Sequence, residues 1–141
     1  MIVEKISNGT VIDHITAGMG RRVLSLLGID ETYPHRVALM INVPSKKTGR
    51  KDIVKIEGIC VDSAKANIIA LAAPNATINI IKNENVERKF NAELPRKLSV
   101  GKCPNPNCIT NSEKGYEDFS LEGSHYRCNY CERLFRSTEL V

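Results

Sequence analysis

No tryptophan occurs in this chain of 141 residues, and tyrosine and phenylalanine together make up only 5% of it. Proteins that bind single-stranded nucleic acid stack bases on aromatic side chains, so this scarcity counts against that class. A one-sided charge is missing too. Lys+Arg number 20 against 16 Asp+Glu, a net charge of +4. Residues 1–98 hold 15 cations and 10 acids, whereas residues 99–141 hold 5 and 6. So mild a basic excess suits an anionic small molecule or an acidic partner surface, and it is too weak to imply nucleic acid. No apolar run approaches the ~20 residues that span a bilayer. The N-terminal MIVEKISNGT carries an acid early and lacks the apolar stretch of a secretory signal. The expectation is therefore a cytoplasmic protein with no membrane partner, in a compartment where thiols stay reduced.

What is present is a 42% hydrophobic, 26% charged composition typical of globular chains, with alternating strand and helix patterns up to residue 98. Thr10–Ile15 (TVIDHI) is β-branched and alternating, which predicts a strand. Met19, Val23, Leu26 and Leu27 recur at helical spacing, and Gly28 follows as a stop. Arg36–Val43 predicts a second strand with Val37, Leu39, Ile41 and Val43 on one face. Pro44–Gly49 reads as a turn, and Lys51–Gly58 returns to close a hairpin. Ala64, Ile68, Leu71 and Ala72 mark a second helix, capped by Asp62 or Ser63 and stopped by Pro74. Thr77–Lys82 is a fourth strand, and Val86–Leu94 a candidate fifth. The order β-α-β-β-α-β is the ferredoxin-like sandwich, one sheet with two helices on one face. The fold class expected is α+β, with this domain at 1–97 and a small all-β zinc-binding domain at 98–141, divided at the polar Pro95–Lys97 break.

Five cysteines in a reducing compartment point to metal or catalysis. Four of them fall as Cys103-Pro-Asn-Pro-Asn-Cys108 and Cys128-Asn-Tyr-Cys131. Two short loops, each closing a pair of thiolates whose sulfurs accept backbone N–H bonds, build a tetrahedral four-sulfur zinc site. Such a site leaves no coordination position open for water, so the Zn²⁺, one per chain, is structural. Residues 99–141 carry only about eleven large apolar side chains, and metal binding would supply the folding energy they lack. His125 stands in no ligand spacing and reads as a surface or strand histidine. Cys60 has no His–Asp set beside it, so a buried, inert thiol is expected there and no catalytic residue.

On the third strand Lys51, Ile53 and Lys55 alternate with core positions Val54 and Ile56. Two cations around an apolar residue suit a nucleotide, which needs charge for phosphate and an apolar wall for the base. A solvated strand face is the other reading of that pattern. Asp13 and His14 lie on the first strand, Asn79 and Ile81 share a face of the fourth, and Arg88 and Lys89 lie on the fifth.

Taken in one order, TVIDHI, GRKDIVKIE, LAAPNATIN and CPNPNC…CNYC resemble the regulatory chain family of aspartate carbamoyltransferase, across essentially the whole chain. That resemblance implies a non-catalytic allosteric subunit of pyrimidine biosynthesis. Its N-terminal domain would bind CTP and ATP, with UTP a further effector. Its zinc domain would dock on the catalytic chain, and its chains would pair as homodimers. By position, Asp13 would contact the ribose and base region, and His14 and Lys89 would lie near the triphosphate. Lys55 would reach the ribose, with Lys51 close to phosphate. Val3, Ile6, Asn79, Ile81 and Val86 would line the pocket. The competing reading from residues alone is a zinc-ribbon nucleic-acid-binding protein, which the acidic zinc segment and the sparse aromatics disfavour.

Overall fold

A computed structural model describes residues 6–113 and 115–141. The chain divides into two compact units, the first ending at Glu93 and the second beginning at Leu94. Pro95 and Arg96 already bond into the second unit. The Pro95 carbonyl accepts the Tyr126 hydroxyl at 2.6 Å, and the Arg96 carbonyl accepts the Leu121 N–H at 2.8 Å.

The first unit runs β1 (Gly9–Thr16), α1 (Gly20–Leu26), β2 (Val37–Ser45), β3 (Gly49–Glu57), α2 (Ser63–Ala72), β4 (Thr77–Lys82) and β5 (Asn85–Asn91). Its sheet has the antiparallel order β2-β3-β1-β4-β5. The predicted βαββαβ arrangement is therefore present, extended by the edge strand β5. Ile12, Ile15, Val54, Ile56, Ile78 and Ile80 form the buried face with Val23, Ile69 and Leu71 of the helices. Thr10 and Asp52 are polar members of that face; the Thr10 hydroxyl donates to the Ile59 carbonyl at 2.7 Å.

Three register shifts interrupt the expected alternation among the described residues: one sets Glu87 of β5 opposite Ile80–Ile81, and the other two are bulges that flank β3. On β1, Asp13 and His14 together oppose Ile53, since Ile12 pairs Val54 and Ile15 pairs Asp52. His14 takes a left-handed φ of 55°. The extra residue lets Ile12 and Ile15, three apart, both face the core. On β2, Ile41 and Asn42 oppose Asp52, and Asn42 has φ 58°. Consequently Val37, Leu39, Ile41 and Val43 do not share one face as predicted: Ile41 is 57% exposed. Asn83 and Glu84 turn β4 into β5 with φ of 51° and 67°, the paired left-handed conformation that closes a two-residue hairpin.

Helix α2 starts at Asp62, whose carboxylate accepts the Lys65 N–H at 2.9 Å. Its buried residues are Ala66, Ile69, Ala70, Leu71 and Ala72. Ala64 is exposed, so the apolar stripe sits one position round from the predicted Ala64–Ile68–Leu71 line. In so alanine-rich a segment the sequence pattern leaves the inward face weakly marked.

The second unit is an antiparallel sheet, β6 (Lys97–Leu98), β7 (Phe119–Glu122), β8 (His125–Cys128) and β9 (Leu134–Arg136), in that order, with 3₁₀ turns at Ile109–Asn111 and Ser137–Leu140. Phe119, Tyr126, Cys128 and Leu140 make its small core. Burial pushes the Tyr126 phenol up to about 12. Among the described residues no helix is long and apolar enough to cross a membrane.

Candidate functional site

The second unit brings its four predicted ligands together. The Sγ atoms of Cys103, Cys108, Cys128 and Cys131 all lie within 4.8 Å of one another. The pairs Cys103–Cys131 and Cys108–Cys128 are each separated by 3.7 Å. Four sulfurs ~2.3 Å from a tetrahedral zinc ion stand about 3.8 Å apart, so this spacing fits the metal and is far too long for a disulfide.

The surrounding backbone fits it as well. Backbone N–H groups shortly downstream donate toward each sulfur: Asn105 to Cys103, Thr110 to Cys108, Cys131 and Tyr130 to Cys128, and Arg133 to Cys131. The Thr110 hydroxyl adds a donor to Cys108 at 3.2 Å. Asn111 locks the first loop by donating to the carbonyls of Cys103 at 3.0 Å and Asn105 at 2.7 Å. Burial pushes the Cys103 thiol up to about 12 and raises Cys128. Burial acts the same way on Cys108 and Cys131, but donors from Thr110 hold Cys108 down at about 7, and the Arg133 N–H helps lower Cys131. A dication draws all four into the thiolate form and releases protons.

The remaining two candidates lie apart from this centre. His125 is exposed on β8 and faces Ser124 Oγ at 3.2 Å. Cys60 is exposed, not buried as expected, because β3 ends at Glu57 and Cys60 belongs to the loop beyond. We expect iodoacetamide to modify Cys60 alone in the metal-loaded native chain. Mass spectrometry should show one adduct, rising to five after denaturation in chelator.

In the first unit, the face of the sheet opposite the helices carries the other candidates. The register aligns Lys55 of β3, Val11 of β1, Asn79 of β4 and Lys89 of β5 in one row across it. A pocket of about 220 Å³ is lined by Ile6, Val11, Lys55, Asn79, Ile81, Glu84 and Val86. Five predicted residues are therefore brought together there: Ile6, Lys55, Asn79, Ile81 and Val86. Val11 and Glu84 were missed. Val11 could have been found from its alternation with Asp13, whereas Glu84 enters through a turn that the strand pattern does not mark. Lys89 is exposed on β5 opposite Asn79. Val3 lies outside the described residues.

Asp13 and Lys51 form an ion pair at 2.9 Å, with Ile53 opposite the bulge beside them. Burial alone would raise the Asp13 carboxyl, but the Lys51 ammonium and the His14 N–H, at 2.6 Å, hold it below its usual value. A depressed carboxyl adds stability above the ordinary carboxylate range, and that contribution fades as pH falls through the folded-state value. His14 is turned elsewhere by its left-handed backbone. It lines a separate cavity of about 360 Å³ with Thr16, Thr48, Arg50 and Asn75. Its Nδ1 is the buried polar side-chain atom without a hydrogen-bond partner among the described residues.

Comparison with known proteins agrees with this layout. The family described as aspartate carbamoyltransferase regulatory chain, allosteric domain, matches residues 1–93, and its metal binding domain matches residues 99–141. The chain belongs to the aspartate carbamoyltransferase regulatory chain family. Relatives of that name extend over nearly the full length. The one from Saccharolobus solfataricus is 47% identical, covering 100% of this chain and 92% of the relative. Those from Saccharolobus islandicus and Thermoplasma acidophilum are 49% and 48% identical, covering 92% and 95% of their own lengths. As a member of this family the chain is a non-catalytic regulatory subunit with an allosteric and a metal-binding domain. The zinc-ribbon nucleic-acid reading is not favoured.

Proposed function

We propose that the first unit binds nucleotide effectors on its open sheet face and that the second, held in shape by one zinc ion, docks on an aspartate carbamoyltransferase catalytic chain in the cytoplasm. The observation that carries the effector reading is the pocket of Ile6, Val11, Lys55, Asn79, Ile81, Glu84 and Val86. Apolar walls for a base stand beside one ammonium, and the Lys51–Asp13 pair lies further along the same strands. In this reading Lys55 reaches the ribose, Asp13 the ribose and base region, and Lys51 and Lys89 serve the phosphate end; His14, which lines the separate cavity, would join them only by turning out of it. CTP, ATP and UTP are the effectors. Homodimers of this chain join catalytic chains into one assembly.

Exposed Ile109, Tyr116, Tyr130 and Leu134 on the second unit support a docking role, since apolar side chains left in water are commonly covered by a partner. Regulation then requires that each nucleotide favour one quaternary state over another, by a coupling of ~1–3 kcal/mol.

Calorimetric titration tests the effector site. CTP and ATP should bind the zinc-loaded chain, and Lys55→Ala should weaken both about tenfold, the typical effect of losing one charge-assisted bond. Unchanged affinity in that variant would remove Lys55 from the site. Chelator treatment should also release the chain from its catalytic partner, and a complex that survives complete zinc loss contradicts the docking role.

A further inference from the structure

Asp52 is fully buried, although its neighbours on the same strand face are Val54 and Ile56. A carboxylate in such surroundings persists only if its oxygens are satisfied. Oδ1 accepts the Asn42 N–H at 2.9 Å; Oδ2 accepts those of Gly18 at 3.1 Å and Gly20 at 2.9 Å. Asn42 is the left-handed residue of the β2 bulge, and its N–H is one that the bulge withdraws from the ladder. Gly18 and Gly20 belong to the turn by which β1 enters α1. Space at Gly20 is reserved for this carboxylate: a Cβ there would lie 2.9 Å from Asp52 Oδ2 and 2.7 Å from Leu39 Cδ1.

The preceding residue, Lys51, points to the opposite sheet face and holds Asp13 of the β1 bulge at 2.9 Å. Two consecutive residues of β3 therefore grip both bulges, one from each face. Lys51 can meet Asp13 only while β1 and β2 keep their shifted registers against β3. Asp52 is the group that ties both neighbouring segments to that register.

We propose that Asp52 is a positioning residue for the phosphate end of the effector site, acting through Lys51, whose ammonium is held by Asp13, without touching the nucleotide. This rests on the nucleotide reading above. Asp52→Asn keeps the shape but presents an amide in place of one carboxylate oxygen to three N–H donors. The full zinc-loaded chain, wild type and variant, is titrated with CTP by calorimetry and with cytidine by NMR.

We expect CTP affinity to fall about tenfold in Asp52→Asn, as for a lost charge-assisted contact, with a smaller fall for cytidine, which has no phosphate for Lys51 to meet. The Asp13 carboxyl, followed by carbon NMR, should titrate closer to its ordinary range in the variant. Unchanged CTP affinity, an equal loss for both ligands, or an unmoved Asp13 overturns the proposal. Should the variant not fold, the wild type decides. Amide exchange at Gly18, Gly20 and Asn42 should slow on CTP binding and not on cytidine binding; no difference between the two ligands overturns the proposal. A wild-type chain that binds no CTP refutes the effector reading itself and this proposal with it.

Discussion

Stripped of metal, residues 94–141 should lose their fixed tertiary structure while the sheet of the first unit stays folded. The reason is the size of the second core. Phe119, Tyr126, Leu98 and Leu140 are its large buried side chains apart from the cysteines, and its strands are two to four residues long. A structural four-sulfur zinc site contributes roughly 10–16 kcal/mol of apparent binding energy at neutral pH. Whole domains are stable by only about 5–15 kcal/mol, so no reserve of packing can replace it. Cys128→Ser should act more strongly than Cys131→Ser, because Cys128 is fully buried on β8 whereas Cys131 is partly accessible. Amide NMR dispersion of residues 94–141, paired with zinc analysis of the same sample, reads the result. Retained dispersion at zero zinc would show that the sheet folds without the ion. Acid should act in the same direction, since protons compete for thiolates, and burial already favours the protonated form of Cys103.

The metal centre was legible in the sequence because ligand spacing is a local property. Cys-x₄-Cys and Cys-x₂-Cys close their own loops, and the N–H bonds to each sulfur come from two or three residues away. The sandwich was legible too, through alternation on β3 and β4, where Val54, Ile56, Ile78 and Ile80 mark the core. What escaped notice depends on non-local pairing. The β1 bulge exists because Ile12 and Ile15 must both face inward against Val54 and Asp52. Nothing within TVIDHI announces that, and the resulting turn of His14 carries it to a different cavity from Lys55 and Asn79. The β2 bulge likewise breaks the single-face reading of Val37–Val43, because Asn42 bends to meet a carboxylate ten residues on. Cys60 was expected to be buried and instead follows Gly58, whose φ of 87° turns the chain out of the sheet. Asp52 itself looks in sequence like an ordinary charged residue of a strand. Its role appears only once three donors from two segments converge on it.

That convergence makes Asp52→Ala the most damaging single polar truncation expected in the first unit. The substitution leaves the N–H groups of Gly18, Gly20 and Asn42 without their acceptor, and of the three only Gly20 is itself a buried residue. A hydrogen bond to a charged acceptor contributes ~1.5–3 kcal/mol, and water reaching the exposed Gly18 and Asn42 offsets part of the loss, so the expected loss is about 3–5 kcal/mol. In a unit of this size each kcal/mol lowers the midpoint by roughly 4–8 °C, which puts the shift at roughly 12–40 °C by calorimetry or circular dichroism. Glu87→Ala is the fitting control. Its carboxylate pairs with Lys82 at 3.2 Å, but both side chains are at least half exposed, and exposed pairs contribute only ~0–1 kcal/mol. Should the two variants melt within a few degrees of each other, water must already solvate the Asp52 carboxylate, and the network joining the two bulges would then be incidental. If Asp52→Ala alone collapses, the β1–α1 turn and the β2 bulge are held by one charge, and the register that sets Lys51 beside Asp13 depends on it.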